Sequence, residues 1–298
     1  MMHLPRRAAF ARPVSVLLAA ALVACGTAGG NAAPSGLASA TARPAGTSFP
    51  ATSYMAKIVQ RGKLIAGVKQ DVLLFGYLNP RTNQIEGFDI DVVKEIAKAL
   101  FNGDASASRV EFKPVTSAQR IPALQEGSVD IVAATMTITD ERKQQIDFSD
   151  VYYSAGQRLL VKKDSTATKI QDLDKADKTI CAAKGSTSEQ NITKFAPTAQ
   201  KLLFDGYAEC LTALQQGRTD AISTDDVILA GLAEQDPNTK LVGDKFTDEP
   251  YGLGIAKTST GFTEFVNGVV RQMKTNGRWK AIYQQWLGKF GPVPEPPK

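Results

Sequence analysis

At 298 residues the chain has room for one large domain or two of ordinary size, and 43% hydrophobic with 22% charged residues excludes both a disordered chain and a multi-spanning one. The formal net charge of +5 suggests an anionic partner until it is counted by region: Arg6, Arg7 and Arg12 lie in the first 24 residues, which hold no acid, and without them 32 basic residues face 30 acidic ones. No nucleic-acid partner is therefore expected. The only histidine, His3, lies in the same stretch, so a processed chain loses Ser-His-Asp and Cys-His catalysis and any zinc site needing an imidazole.

The N-terminus has the form of an export signal. Three arginines precede the apolar run at 14–23, which is too short to span a bilayer and suits a signal-peptide core. The run ends in Leu22-Val23-Ala24-Cys25-Gly26, which resembles a bacterial lipobox, whose cysteine carries a diacylglyceryl group after cleavage. Two acyl chains suffice for stable anchoring. The expected parts are a signal peptide at 1–24, lipidated Cys25, and a flexible tether to residue 53. Of residues 26–53, all but Asn31, Leu37, Arg43 and Phe49 are Gly, Ala, Ser, Thr or Pro. Folding is expected to begin near Tyr54.

Beyond that point short apolar runs alternate with helical patterns. Strands are predicted at 64–68, 110–112 and 130–134, and a helix at 89–100 whose first-turn Asp89 and Asp91 suit the helix dipole. A second set follows: strand 179–183, helix 187–195, strand 201–204, helix 207–216 and strand 221–223. The alternation predicts an α/β protein with mainly parallel sheets flanked by helices. Cys181 and Cys210, an even pair in an exported chain, suggest a disulfide; without a C-x-x-C spacing they do not suggest redox catalysis.

A weak internal repeat points to two lobes. Ala123-Leu124-Gln125-Glu126-Gly127-Ser128-Val129-Asp130-Ile131-Val132 recurs as Ala213-Leu214-Gln215-Gln216-Gly217-Arg218-Thr219-Asp220-Ala221-Ile222. Each copy reads as helix end, glycine cap, turn and buried strand. The register places Thr135 opposite Asp225, each just past a strand's carboxyl end, where open α/β sheets bind ligands.

Four segments in order are specific. Gly87-Phe88-Asp89-Ile90-Asp91 is one; Thr135-Met136-Thr137-Ile138-Thr139-Asp140-Glu141-Arg142 with Ile146-Asp147-Phe148-Ser149-Asp150 is the second. Gly185-Ser186-Thr187-Ser188 with Asp225-Asp226 is the third, and Asn276-Gly277-Arg278-Trp279-Lys280 through Trp286 the fourth. Over about residues 54–290 the chain resembles the family 3 bacterial extracellular solute-binding proteins, which deliver polar amino acids to ABC transporters. The resemblance implies a type II, periplasmic-binding-protein-like fold of two lobes with the ligand in the cleft. Lobe 1 is then expected at 54–152 and 252–298, lobe 2 at 157–246, and hinge strands at 152–156 and 247–251.

The resemblance also implies roles. Arg142, a planar cation, suits an α-carboxylate, assisted by Thr137 with Thr135 in the same segment. Ser186 and Thr187 offer hydroxyl and N–H donors at a helix start, and Asp225 pairs with the α-ammonium. On their own residues, Arg142 could instead pair with Asp140 or Glu141, and Asp225 could cap the helix at 227–234, with Asp226 free to take either part. Lys69, Ser117 and Arg120 resemble the positions that meet the distal carboxylate in glutamate/aspartate-binding members; the alternatives are an exposed Lys69 and an Arg120 paired with Glu126. Two such cations favour L-glutamate or L-aspartate over glutamine or asparagine. Phe75 or Tyr77 is expected to cover the ligand, and Trp279, Tyr283 and Trp286 to pack in the core.

The expected protein is a monomer without cofactor or metal, anchored on the outer face of the cytoplasmic membrane. Its partner is an ABC permease or, with the same module, a membrane signalling sensor. An enzyme on this fold would have to use an acid such as Glu86 as general acid/base, and no paired-carboxylate motif stands out.

Overall fold

The computed structural model describes residues 48–298; the expected export signal, Cys25 and the expected tether up to residue 47 lie outside the described residues. Packing starts slightly before position 54. The Phe49 ring meets Phe265 edge-on at 5.4 Å, because this one large apolar side chain at the end of the tether finds the core. Ser53 then caps α1 (Tyr54–Arg61), its Oγ accepting from the Ala56 N–H.

The first lobe opens with β1 (Leu64–Val68), followed by a small antiparallel sheet of β2 (Asp71–Val72), β3 (Gly76–Asn79) and β4 (Gln84–Glu86). Next come α2 (Phe88–Leu100), β5 (Val110–Pro114), α3 (Arg120–Gln125), β6 (Ile131–Ala133), α4 (Asp140–Gln145) and β7 (Asp147–Phe148). The chain crosses on β8 (Tyr153–Ala155) into a second lobe. That lobe consists of β9 (Gln157–Lys162), β10 (Thr179–Ala183), α5 (Thr187–Phe195), β11 (Gln200–Phe204), α6 (Tyr207–Gln215), β12 (Ala221–Asp225), α7 (Asp226–Gln235) and β13 (Thr239–Val242). It returns on β14 (Glu249–Tyr251) and ends with β15 (Gly254–Ile255), α8 (Phe262–Thr275) and α9 (Arg278–Leu287).

Each lobe holds a five-stranded sheet, in the orders β5-β1-β6-β15-β7 and β11-β10-β12-β9-β13. The three strands β5, β1 and β6 run parallel, as do β11, β10 and β12. The strands that enter straight from a crossing, β15 and β9, run antiparallel to their neighbours β6 and β12. The two crossings pair with each other, Tyr251 opposite Tyr153 and Glu249 opposite Ala155.

The repeat is visible in hydrogen bonds. Asp130, leading into β6, exchanges two bonds with Ile65 on β1: its N–H donates to the Ile65 carbonyl and its Oδ2 accepts the Ile65 N–H. Asp220, leading into β12, does the same with Thr179 on β10. Before each lies a left-handed glycine, Gly127 at φ +69° and Gly217 at φ +71°, a conformation that β-carbon-bearing residues resist.

Aromatic rings fill the space beneath the crossings. Phe75 meets Tyr153 edge-on at 5.0 Å, and Phe88 lies 6.1 Å from Trp279. The Trp279 indole donates to the Tyr152 carbonyl at 2.7 Å, and the Trp286 indole to Asp91 at 2.8 Å. The aromatic face of α9 is thus core, with its two N–H groups satisfied. In the second lobe a disulfide joins buried Cys181 on β10 to buried Cys210 on α6, closing a 29-residue separation. Closing a loop of this size contributes roughly 3–4 kcal/mol in the chain-entropy description.

Candidate functional site

The residues at the carboxyl ends of the parallel strands face one another across the cleft. From the first lobe come Lys69 after β1, Ser117 and Arg120 after β5, Thr135 and Thr137 after β6, and Arg142 on α4; from the second come Ser186 and Thr187 after β10 and Asp225 at the end of β12. All nine are buried, none more than 8% exposed, so the lobes are closed over them.

Three buried cations form a row. The Lys69 ammonium donates to Ser117 Oγ at 2.9 Å. Burial and then the Arg120 charge push Lys69 down to about 8, against the opposing pull of Asp71, Asp205 and Glu209. Arg120 donates from Nε to the Ser117 carbonyl and from Nη1 to the carbonyls of Ala134 and Thr135; burial and then Arg142 push it down to about 9. Arg142 donates to the Thr137 carbonyl at 2.7 Å and, across the cleft, to the Gly185 carbonyl at 3.4 Å. Among the described residues none of the three forms a salt bridge. The pairings of Arg120 with Glu126 and of Arg142 with Asp140 or Glu141 are therefore not made.

Asp225 supplies the opposite charge. It stands at the N-cap position of α7 yet makes no capping bond. Its Oδ2 accepts from the Tyr251 hydroxyl, and its Oδ1, fully buried, has no partner. Asp226 does not cap either; it accepts the Gly156 N–H and pairs with Lys245. A buried carboxylate oxygen without a donor is costly unless something supplies one.

Three further site hydroxyls are engaged within the fold. Ser186 caps α5, donating to the Ala183 carbonyl and accepting the Glu189 N–H. Thr187 donates to Glu249 at 2.9 Å, as does Thr137 at 2.6 Å, and the two threonine oxygens lie 3.4 Å apart. What α5 still offers a ligand is the N–H groups of Thr187 and Ser188, which have no intrahelical acceptor.

Sequence reasoning missed the acids that organise these groups. Glu249, on the returning hinge strand, gathers Thr137 from one lobe and Thr187 and Asn191 from the other, with Thr247 beside it. Asp89 stands in the first turn of α2 as expected, but fully buried, and it accepts the Thr135 N–H at 2.8 Å and the Tyr152 hydroxyl at 2.6 Å. Thr135 sits at φ +45°, a strained conformation for a β-branched residue, and is held there by Asp89 on its N–H and Arg120 on its carbonyl. The signal was present, since Asp89 belongs to the quoted motif, but a first-turn acid has an ordinary local explanation. Phe75 is buried among Phe88, Tyr153 and Tyr251, whereas Tyr77 pairs with Asp71 in the small sheet. Among the described residues no cluster of acids, cysteines or histidines is placed to hold a metal ion.

Burial, followed by the charges of Glu249 and Asp226, pushes Asp225 up to about 7, while Tyr251 and Arg120 pull it down. Burial likewise pushes Asp89 up to about 7 against its bonds from Tyr152 and Thr135. Both folded values lie above the ordinary 3.8 of the unfolded chain, so the folded state holds these protons more tightly, and the resulting stability is lost as pH rises through 7. No histidine lies outside His3, and Lys69, pushed down to about 8, begins to titrate only at the upper end of this window. The ligand-free melting temperature should therefore fall by roughly 5–10 °C between pH 5.5 and 8. Asp225→Asn should flatten part of that slope; a flat wild-type profile would contradict the assignment.

With this geometry in hand, comparison with known proteins is decisive. The model of the bacterial extracellular solute-binding proteins, family 3, matches residues 64–289. The chain belongs to that family. It is 44% identical to the ABC transporter glutamine-binding protein GlnH of Bacillus subtilis (strain 168), across 92% of this chain and 94% of the relative. It is 32% identical to the glutamate-binding protein GluB of Corynebacterium efficiens, over 79% of this chain and 82% of the relative. Among solved structures, an ancestral arginine-binding protein bound to glutamine superposes with a TM-score of 0.71 at 38% identity, covering 76% of this chain and 99% of that one. The chain is thus a solute-binding protein of the two-lobed α/β type whose family works outside the cytoplasm.

Proposed function

We propose that the protein is a monomeric lipoprotein, anchored through Cys25, that closes on an acidic amino acid, L-glutamate or L-aspartate, and hands it to an ABC importer. The observation that carries the ligand class is the charge pattern: three buried cations without a salt bridge and one buried carboxylate oxygen without a donor. An amino acid with a second carboxylate complements both. Its α-carboxylate meets Arg142 and the first turn of α5, its ammonium meets Asp225 Oδ1, and its distal carboxylate meets Lys69 and Ser117. Because the two lobes each hold part of this set, the ligand favours the closed state by its differential contacts. The motifs at 22–26 and the low-complexity stretch after them support the anchor and tether.

Glutamine is the second reading, favoured by the names of the Bacillus subtilis relative and of the structure bound to glutamine. A thermal-shift screen of the purified protein against all common amino acids, followed by calorimetry, separates the two, because a ligand that binds only the native state raises its melting temperature. The expected order is glutamate or aspartate above glutamine. A response to arginine or to aliphatic amino acids alone would reject both readings.

A further inference from the structure

Two surface pockets flank the buried site, one of about 540 Å³ beside Glu249 and Asn191, the other of about 310 Å³ beside Lys69, Asp71 and Gly206. At the second pocket, α6 begins without a cap from its own lobe. Its N-cap residue is Gly206, which has no side chain to offer, whereas α5 is capped by Ser186 and α1 by Ser53. The missing acceptor comes from the other lobe: Asp71 Oδ2 accepts the Tyr207 N–H at 2.7 Å across a sequence separation of 136. The approach is close enough that a Cβ on Gly206 would lie 2.5 Å from that oxygen. Two residues further along the same segment, the Leu73 carbonyl lies 2.8 Å from where a Cβ on Gly231 of α7 would be. Residues 71–73 thus rest on two helices of the second lobe at backbone distance, each time over a glycine.

We propose that Asp71 is a positioning residue for closure: it completes the N-terminus of α6 from the opposite lobe, a helix cap that exists only when the lobes meet. In the open state the Tyr207 N–H and the Asp71 carboxylate are hydrated separately; closure joins them at the positive end of the helix. Asp71 makes no hydrogen bond to Lys69, Arg142 or Asp225, but its charge acts on Lys69, so its effect on closure is read from the inter-lobe distances and from L-glutamine, whose amide does not draw on the Lys69 charge. The proposal rests on the reading of the chain as a receptor that closes on its ligand.

The test uses the full chain with one spin label on each lobe, and compares wild type, Asp71→Ala, Asp71→Asn and Gly206→Ala. Inter-lobe distances, affinities for L-glutamate and L-glutamine, and ligand-free melting temperatures are measured for each. Asp71→Ala should shift the distance distribution to longer separations and weaken whichever amino acid binds by about fivefold, the usual effect of losing a cap. Asp71→Asn, which keeps an acceptor oxygen, should recover most of the loss, and Gly206→Ala should reproduce it by steric exclusion. Unchanged distances in Asp71→Ala, or a lower melting temperature with closure intact, would overturn the proposal. If neither amino acid closes the wild-type protein, the ligand reading fails separately. Asp71 is then judged on the ligand-free distances, which Asp71→Ala must lengthen.

Discussion

Replacing Arg142 with alanine should weaken binding of every amino acid by roughly 30-fold to several-thousand-fold, the range seen when one partner of a buried charge pair is truncated. The guanidinium is 8% exposed and oriented from both sides of the cleft, by the Thr137 carbonyl and the Gly185 carbonyl. Burial lowers its pKa, and the charges of Glu249 and then Asp225 hold it up. Neither is bonded to it, so its charge is directed at the cleft. Removing it would leave a ligand's α-carboxylate with only the N–H groups of α5. Arg142→Lys keeps the charge and loses the fork, and should fall between the two. Calorimetry with glutamate and glutamine measures both variants, and undiminished affinity in Arg142→Ala would show that the site lies elsewhere.

The second large effect is on selectivity. Lys69→Met keeps the length of the side chain and removes its charge, and should cost glutamate at least about 30-fold while changing glutamine by less than about threefold. Lys69 is the better probe than Arg120 because its one side-chain bond goes to Ser117. Arg120 also holds the Ser117, Ala134 and Thr135 carbonyls, so truncating it would disturb the backbone at Thr135 as well as the charge. Competition binding of the two amino acids to wild type and Lys69→Met reads the ratio directly. Equal losses would remove the acidic ligand in favour of glutamine.

Much of the fold was legible because its signals are local. The apolar runs at 64–68 and 179–183 are strands over the same residues, and helix 187–195 starts where Ser186 announces a cap. The two lobes followed from a ten-residue repeat whose aspartates, Asp130 and Asp220, prove to clamp equivalent strands. The candidate site was legible where a motif carries it, at Thr137, Arg142 and Asp225. Residues that act at a distance gave no such signal: Glu249 reaches Thr137 across 112 positions, and Asp71 reaches Tyr207 across 136. An acid in a loop or on a short strand has the same local pattern whether it faces water or closes a cleft. The tether was read as ending at residue 53 because its composition is uniform, although Phe49 alone suffices to bring the chain into contact with Phe265.

The duplicated aspartate clamps have one further consequence. They give the cleft two walls of nearly the same construction, and a ligand held only by such equivalent walls could lie in either direction. The duplication is broken where the repeat ends: the first lobe has Thr135, neutral and twisted to φ +45°, and the second has Asp225, charged and extended. A zwitterion entering this pocket would therefore meet a difference in polarity from end to end. The direction of binding would follow from these departures from symmetry, the Asp225 carboxylate on one lobe and Lys69, Arg120 and Arg142 on the other.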